Sequence, residues 1–263
     1  MLNNFVEYLH ARRRSPATIR VRLVYLNQLA EAHPDLSTVQ LIDLETIIAA
    51  HRHNWKPETV NAAISSWRVF YKWAHRRGLV DHDPTEFLEL VYVPKKVKRL
   101  ADDNAIRAAL PTATLRDQAM LLLGREAGLR RTEIATLHTE HRHGTWLHVT
   151  GKGDRTRKVK AGPTLLDVLL HLEHAQGPGY YFPSTRREGH IAPESVYRTV
   201  VRNIGTSTHS LRRSALTNVY RNSGKDIRLT QMFAGHANPA TTADYIDVED
   251  DDLARAADYA SIA

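Results

Sequence analysis

The sequence has no cysteine. That excludes disulfides and thiolate metal sites, and it makes a reducing cytoplasm the expected setting. Long apolar runs are also missing, since no stretch approaches the roughly 18 residues that a membrane span needs. Met1 is followed by polar residues and an amphipathic pattern rather than an apolar h-region, so no signal peptide is expected. Internal repeats and low-complexity tracts are absent. So are a Gly-x-x-x-x-Gly-Lys-Ser/Thr phosphate loop and any carboxylate cluster suited to Mg²⁺. What is present is 263 residues, 42% hydrophobic and 25% charged, enough for one large globular domain or two ordinary ones.

Acidic residues are sparse until the chain's end. Residues 1–99 hold 15 Lys/Arg against 10 Asp/Glu, and residues 100–243 hold 20 against 12. Residues 244–263 then reverse the sign, with one Arg against seven acids. A basic body followed by an acidic tail suggests a polyanionic partner for the body and a separate role for the tail.

Helical periodicity dominates. "FVEYLHARRR" is helical, and a second helix begins with Ser15 as N-cap and Pro16 at the first helical position. "STVQLIDLETIIAAHRHN" reads as a short helix capped by Ser37. "KPETVNAAISSWRVFYKWAHRRG" carries an aromatic face (Trp67, Phe70, Tyr71, Trp73) and stops at Gly78, and "HDPTEFLELV" is a short closing element. No strand is expected before about residue 92. Residues 93–100, "VPKKVKRL", join a proline to Lys95, Lys96, Lys98 and Arg99 and mark a linker between a helical domain (1–92) and a second domain (101–246). In the second domain "TWLHVTGKGDRTRKVKAG" is the one β signal, two runs with β-branched residues flanking a Gly-Lys-Gly-Asp turn. The expected fold is mainly α with a small β hairpin or sheet, an α+β second domain and a tail over 247–263.

Four short segments carry five chemistry-bearing features. "GLRRTEIATL" offers Arg130 and, three residues on, Glu133. "TGKGDR" puts Lys152 in the hairpin turn. "THSLRRSAL" spaces His209 and Arg212 for one helix face. "AGHANPATTADY" brings His236 after Gly235, with Tyr245 nine residues later. Taken singly, each has a plain reading: an exposed Arg–Glu pair, a basic turn, a solvated helix start, a core histidine, a half-buried tyrosine.

Their order and local contexts together resemble the tyrosine recombinase (phage integrase) family. "AGLRRTEIATL" is similar to its Gly-Leu-Arg-x-x-Glu box, "TGKG" to its lysine hairpin, "THSLRRS" to its His-x-Leu-Arg box, and "AGHANPATTADY" to its Leu-Gly-His box with the nucleophile. "SPATIR", the aromatic helix and "HDP" resemble its helical, SAM-like core-binding domain, so the resemblance covers nearly the whole chain. Arg213 stands where many members have a second histidine, and Ala234 where leucine is usual before Gly-His.

The resemblance implies a site-specific DNA recombinase working through a 3′-phosphotyrosine intermediate. Tyr245 would be the nucleophile, Arg130 and Arg212 the cations on the phosphate, and Lys152 the acid for the departing 5′ oxygen. His209 would take the tyrosine proton, His236 would donate to the scissile phosphate, and Glu133 would hold Arg130. Neither metal nor ATP is required, and no cofactor is expected. Implied partners are double-stranded DNA sites and a homotetramer spanning two of them, with an accessory directionality factor as a further candidate. Arg20, Arg22, Arg68 and Lys72, with the linker cations, are the candidate phosphate contacts of the helical domain and linker.

The chain begins almost at the core-binding helices, which points to a compact integrase of a temperate phage or mobile element. A Xer-like resolvase of replicon dimers is the alternative, and a non-cleaving DNA-binding regulator on the same fold is another. A type IB topoisomerase shares similar chemistry but fits the His-x-x-Arg and Gly-His boxes less well. A zinc site on "HTEHRH" (His138, His141, His143) lacks a placed fourth ligand. The tail either docks on a neighbouring protomer or is a solubilising segment, and "AADYASIA" also resembles the small-apolar end of a degradation tag.

Overall fold

A computed structural model describes residues 1–94, 99–151, 155–186, 188–236, 238 and 242. The chain divides into two compact units, Met1–Lys96 and Val97–Ala263.

The first unit holds four helices, α1 (Leu2–Ala11), α2 (Pro16–Ala32), α3 (Leu41–Ala50) and α4 (Pro57–Arg76). Ser15 caps α2 by accepting from the Thr18 N–H at 3.2 Å, and Pro16 sits where a missing N–H costs nothing. α4 repeats apolar residues at three- and four-residue steps, so Val60, Ala63, Ile64, Trp67, Phe70, Tyr71 and Ala74 are all buried. Each such large side chain removed from water contributes about 1.5–3 kcal/mol. Two of the aromatics place their polar ends on backbone carbonyls. Trp67 donates to the Tyr25 carbonyl and Tyr71 to the Leu36 carbonyl, both at 3.1 Å.

One local expectation fails here. α3 starts after Gln40, whose N–H donates to the Asp43 carboxylate at 2.9 Å, while the Ser37 hydroxyl donates to Asp35 in the preceding turn. The short-range Asx turn at Asp35 outcompetes the helix for that serine. The closing element "HDPTEFLELV" is built of turns, in which Asp83 accepts from both the N–H and hydroxyl of Thr85.

The second unit contains α5 (Asp103–Ala109), α6 (Leu115–Arg125), α7 (Arg131–Ala135), β1 (Arg142–His143), β2 (Trp146–Thr150), β3 (Thr156–Lys160), α8 (Pro163–Gln176), α9 (Pro193–Ile204), α10 (Thr208–Asn222) and α11 (Ile227–Ala234). α6 is its spine, with Ala119, Met120, Leu121, Leu122 and Leu123 buried consecutively, so neighbours must pack all around it. The antiparallel sheet runs β1-β2-β3, with Leu147 opposite Val159 and Val149 opposite Arg157. β1 is a strand that periodicity did not reveal, being two residues long. It is anchored by Arg142, whose guanidinium forks onto Glu173 of α8 with both bonds at 2.6 Å.

Candidate active site

The site starts from a short helix. Arg130 is the N-cap of α7, and the Glu133 carboxylate reaches back to its N–H at 2.8 Å while also accepting from its guanidinium at 2.8 Å. The pair is not a solvated one. Glu133 is 4% exposed, and Arg157 on β3 completes its coordination with a bidentate fork at 3.0 and 2.8 Å. Burial opposes its ionisation, but the hydrogen bonds and charge of Arg157, then of Arg130, outweigh it and hold the carboxyl at about 2.

The second segment is α10, which Ser207 caps by accepting from Ser210 at 3.1 Å. Arg212 on this helix is 1% exposed. Its guanidinium donates to the Gly128 carbonyl, two residues before Arg130, and to the Ala234 carbonyl at 2.6 Å. One arginine thereby ties three separated segments. Gly128 has φ +60°, and a Cβ there would come within 2.8 Å of the Phe233 ring. The approach of this carbonyl to Arg212 therefore needs glycine.

The third segment ends α11. Gly235, at φ 64° and ψ 41°, closes the helix in left-handed conformation, and the N–H groups of Gly235 and His236 fold back onto Met232 and Gln231. This turn places the His236 ring between Arg212 and Thr242, with Nε2 3.2 Å from the Arg212 guanidinium and Nδ1 2.9 Å from the Thr242 hydroxyl. A guanidinium can only donate, so Nε2 accepts and Nδ1 carries the proton. Burial, then the charges of Arg212, Arg130 and Arg157, push the imidazole down to about 4. His209, on the first turn of α10, is also held below the ordinary histidine range, by desolvation and then by Arg213, Arg212, Arg130 and Arg131. Both imidazoles are therefore neutral at physiological pH.

Arg130, Glu133, His209, Arg212 and His236 thus form one cluster around a cationic centre. Lys152, Tyr245, Lys95, Lys96 and Lys98 lie outside the described residues, as does the tail. Of the other candidate DNA contacts, Arg20, Lys72 and Arg99 are exposed. Arg22 and Arg68 are half-buried and donate to the carbonyls of Ser65 and Leu88. The "HTEHRH" histidines make local contacts. His138 accepts from the Glu140 N–H and packs on Tyr180, while His143 packs on His148. Among the described residues no group of three or more His, Cys, Asp or Glu is placed to hold a metal ion, and no helix is long and apolar enough to cross a membrane.

Sequence reasoning missed Arg157. The signal was there: in β3 the even steps from Val159, which is buried, lead to Arg157, an ionic side chain at an inward-facing strand position.

Comparison with known proteins shows the family of the chain. Residues 95–252 match the phage integrase family and residues 2–78 the phage integrase N-terminal SAM-like domain. Among curated relatives, tyrosine recombinase XerC of Alcanivorax borkumensis is 28% identical, with 98% of this chain and 92% of that protein covered. Tyrosine recombinase XerD of Listeria monocytogenes serovar 1/2a is 30% identical, with 81% and 80% covered. Among solved structures, the lambda integrase tetramer bound to a Holliday junction superposes with a TM-score of 0.76 at 15% identity, over 94% of this chain and 76% of that one, which establishes the shared fold. The chain belongs to the phage integrase family of tyrosine recombinases, enzymes of site-specific recombination.

Proposed function

We propose that this chain cleaves and rejoins double-stranded DNA with Tyr245 as the nucleophile. The observation that carries the reading is the convergence of Arg130, Arg212, His209 and His236, from three separated segments, on one cationic centre. Phosphoryl transfer needs such fixed cations, because charge builds on the non-bridging oxygens as the phosphorus is attacked. The phenol oxygen of Tyr245 bonds to phosphorus, the bond to the 5′ oxygen breaks, and the phenolic proton passes to the neutral His209. Lys152 supplies the proton that the leaving 5′ oxygen takes up. The link formed retains the energy of the broken one, so a 5′ hydroxyl from another duplex reverses the step without ATP or metal. His236 Nε2 is an acceptor of Arg212. Donation to the scissile phosphate therefore requires the phosphate to draw Arg212 away and a proton to reach Nε2.

We assign residues 1–92 to core-site binding, 93–100 to a basic linker, 101–246 to catalysis and 247–263 to docking on a neighbouring protomer. Arg20, Arg22, Arg68, Lys72, Lys95, Lys96, Lys98 and Arg99 supply phosphate contacts. A head-to-tail contact of this kind closes into a ring, here a tetramer on two DNA sites in the cytoplasm of a bacterial host. The lambda integrase tetramer on a Holliday junction supports that assembly.

The physiological role we favour is integration and excision of a phage or mobile element, with any directionality factor acting on this step. The chain is about equally identical, 28% and 30%, to a XerC and a XerD, so identity alone assigns it to neither group. Resolution of replicon dimers is the second reading, favoured by the near-complete coverage of the XerC relative. Covalent adduct formation on a denaturing gel tests the chemistry, using nicked duplexes selected from random-sequence DNA by binding to the protein. Wild type should form an adduct that Tyr245→Phe does not; binding without any adduct would leave a DNA-binding regulator. Recombination between two non-identical sites, rather than only between two copies of one site, separates integration from resolution.

A further inference from the structure

Arg157 occupies a position that neither chemistry nor a β-strand ordinarily assigns to an arginine. It is inward-facing, its side chain is 8% exposed, and it stands opposite Val149 in the β2–β3 ladder. Strand interiors of this kind hold apolar residues, and a buried guanidinium is tolerated only when its charge is matched and its donors are used. Glu133 matches the charge, accepting two bonds from the terminal nitrogens of Arg157 and two from Arg130, while the buried Nε of Arg157 has no partner among the described residues. Four donors on one carboxylate leave it no freedom to rotate, so the Arg130 guanidinium inherits a defined direction from the fork on the far side of Glu133.

Arg157 also touches the third segment of the site. A Cβ on Gly235 would lie 2.8 Å from Arg157 Cδ and 3.4 Å from its Nε. The turn that delivers His236 therefore rests directly on the arginine's aliphatic stem and guanidinium edge. Through its two ends the same residue braces Arg130, by way of Glu133, and His236, by way of Gly235.

We propose that Arg157 is a positioning residue of this active site, a brace that sets Arg130 and the Gly235–His236 turn in catalytic register, and this rests on the phosphotyrosine chemistry proposed above. Arg157 acts on the phosphate through Glu133 rather than by contact. Without the fork, the Glu133 carboxyl keeps its burial but loses the first of the two cations that hold it ionised, so it takes up a proton at a higher pH. Arg130 then loses its partner's charge at a higher pH than in the wild type.

The test measures the rate of covalent adduct formation on the selected nicked duplex for wild type, Arg157→Met, Arg157→Lys, Glu133→Gln and the Arg157→Met/Glu133→Gln double variant, with DNA binding and thermal unfolding recorded beside it. Arg157→Met should slow cleavage tenfold or more while binding the duplex within about twofold of wild type. Its acid limb should move to higher pH, which a loss of packing alone does not cause. Arg157→Lys keeps the charge but cannot fork, so it should also fall by several fold, with a smaller shift of the limb than Arg157→Met because a cation still faces Glu133. The double variant should be no slower than the worse single, because both changes break one relay. If Arg157→Met does not fold, Arg157→Lys decides the question. Wild-type rate and an unmoved pH profile in Arg157→Lys, or full additivity in the double variant, would overturn the brace. Failure of wild type to form any adduct would instead strike the phosphotyrosine reading itself.

Discussion

At the scale of single residues, two groups in the site carry charges far from their ordinary behaviour, and both have consequences for pH. Glu133 is held at about 2 instead of 4.5, so its ion pairs stabilise the fold fully above pH 4.5 and are lost as pH falls toward 2. His236 is held at about 4 instead of 6.5, chiefly by burial and then by Arg212. Here the unfolded chain binds the extra proton between those values, so stability is complete above pH 6.5 and declines as pH falls toward 4. Urea unfolding of the full chain should show a lower midpoint at about pH 5 than at about pH 7, with His209 adding in the same direction. The His236→Asn variant should show a smaller drop over that interval. An equal drop would mean that His236 is already charged in the folded protein.

At the scale of elements, the site depends on how helices end more than on how they run. α7 is five residues long and has almost no stability of its own, so its direction comes from the Glu133 clasp on Arg130 and from Arg157 on β3. α11 ends at Gly235 in a conformation an L-residue adopts with strain, against a neighbour that leaves no room for a methyl group. Gly235→Ala should destabilise the second unit by about 1–3 kcal/mol, combining the left-handed backbone penalty with displacement of the Arg157 stem. It should also slow cleavage, because the displaced groups are Arg157 and His236. Thermal unfolding together with adduct formation checks both halves, and an unchanged melting temperature would show that the turn relaxes freely.

At the scale of the whole molecule, the charge distribution sets how the chain meets DNA. The body is basic through residue 243 and the acids are concentrated after it. Phosphate contacts release counterions, so log affinity falls linearly with log salt by about 0.9 for each phosphate neutralised. Replacing Lys95, Lys96, Lys98 and Arg99 together by alanine should lower that slope by about 3–4 and weaken binding to unrelated sequences as much as to the selected site. Binding titrations across a salt series give the slope directly. An unchanged slope would place the linker cations away from the backbone.

The sequence by itself determined the helical character of both units, the proline-led helix start at Pro16, the hairpin around residues 146–160 and the family, because these rest on periodicity, caps and short local motifs. Local competition defeated it at Ser37, where the carboxylate of Asp35 claimed the N–H and hydroxyl of that serine before a helix could. The candidate residues of the three boxes were legible, but their surroundings were not. That Arg212 is buried with donors on Gly128 and Ala234, that His236 accepts from it, and that Arg157 braces Glu133 were decided by the tertiary structure alone. The reason is physical: hydrogen bonds between segments 22 to 84 residues apart are set by how the helices pack around α6, and no local pattern in the chain encodes them.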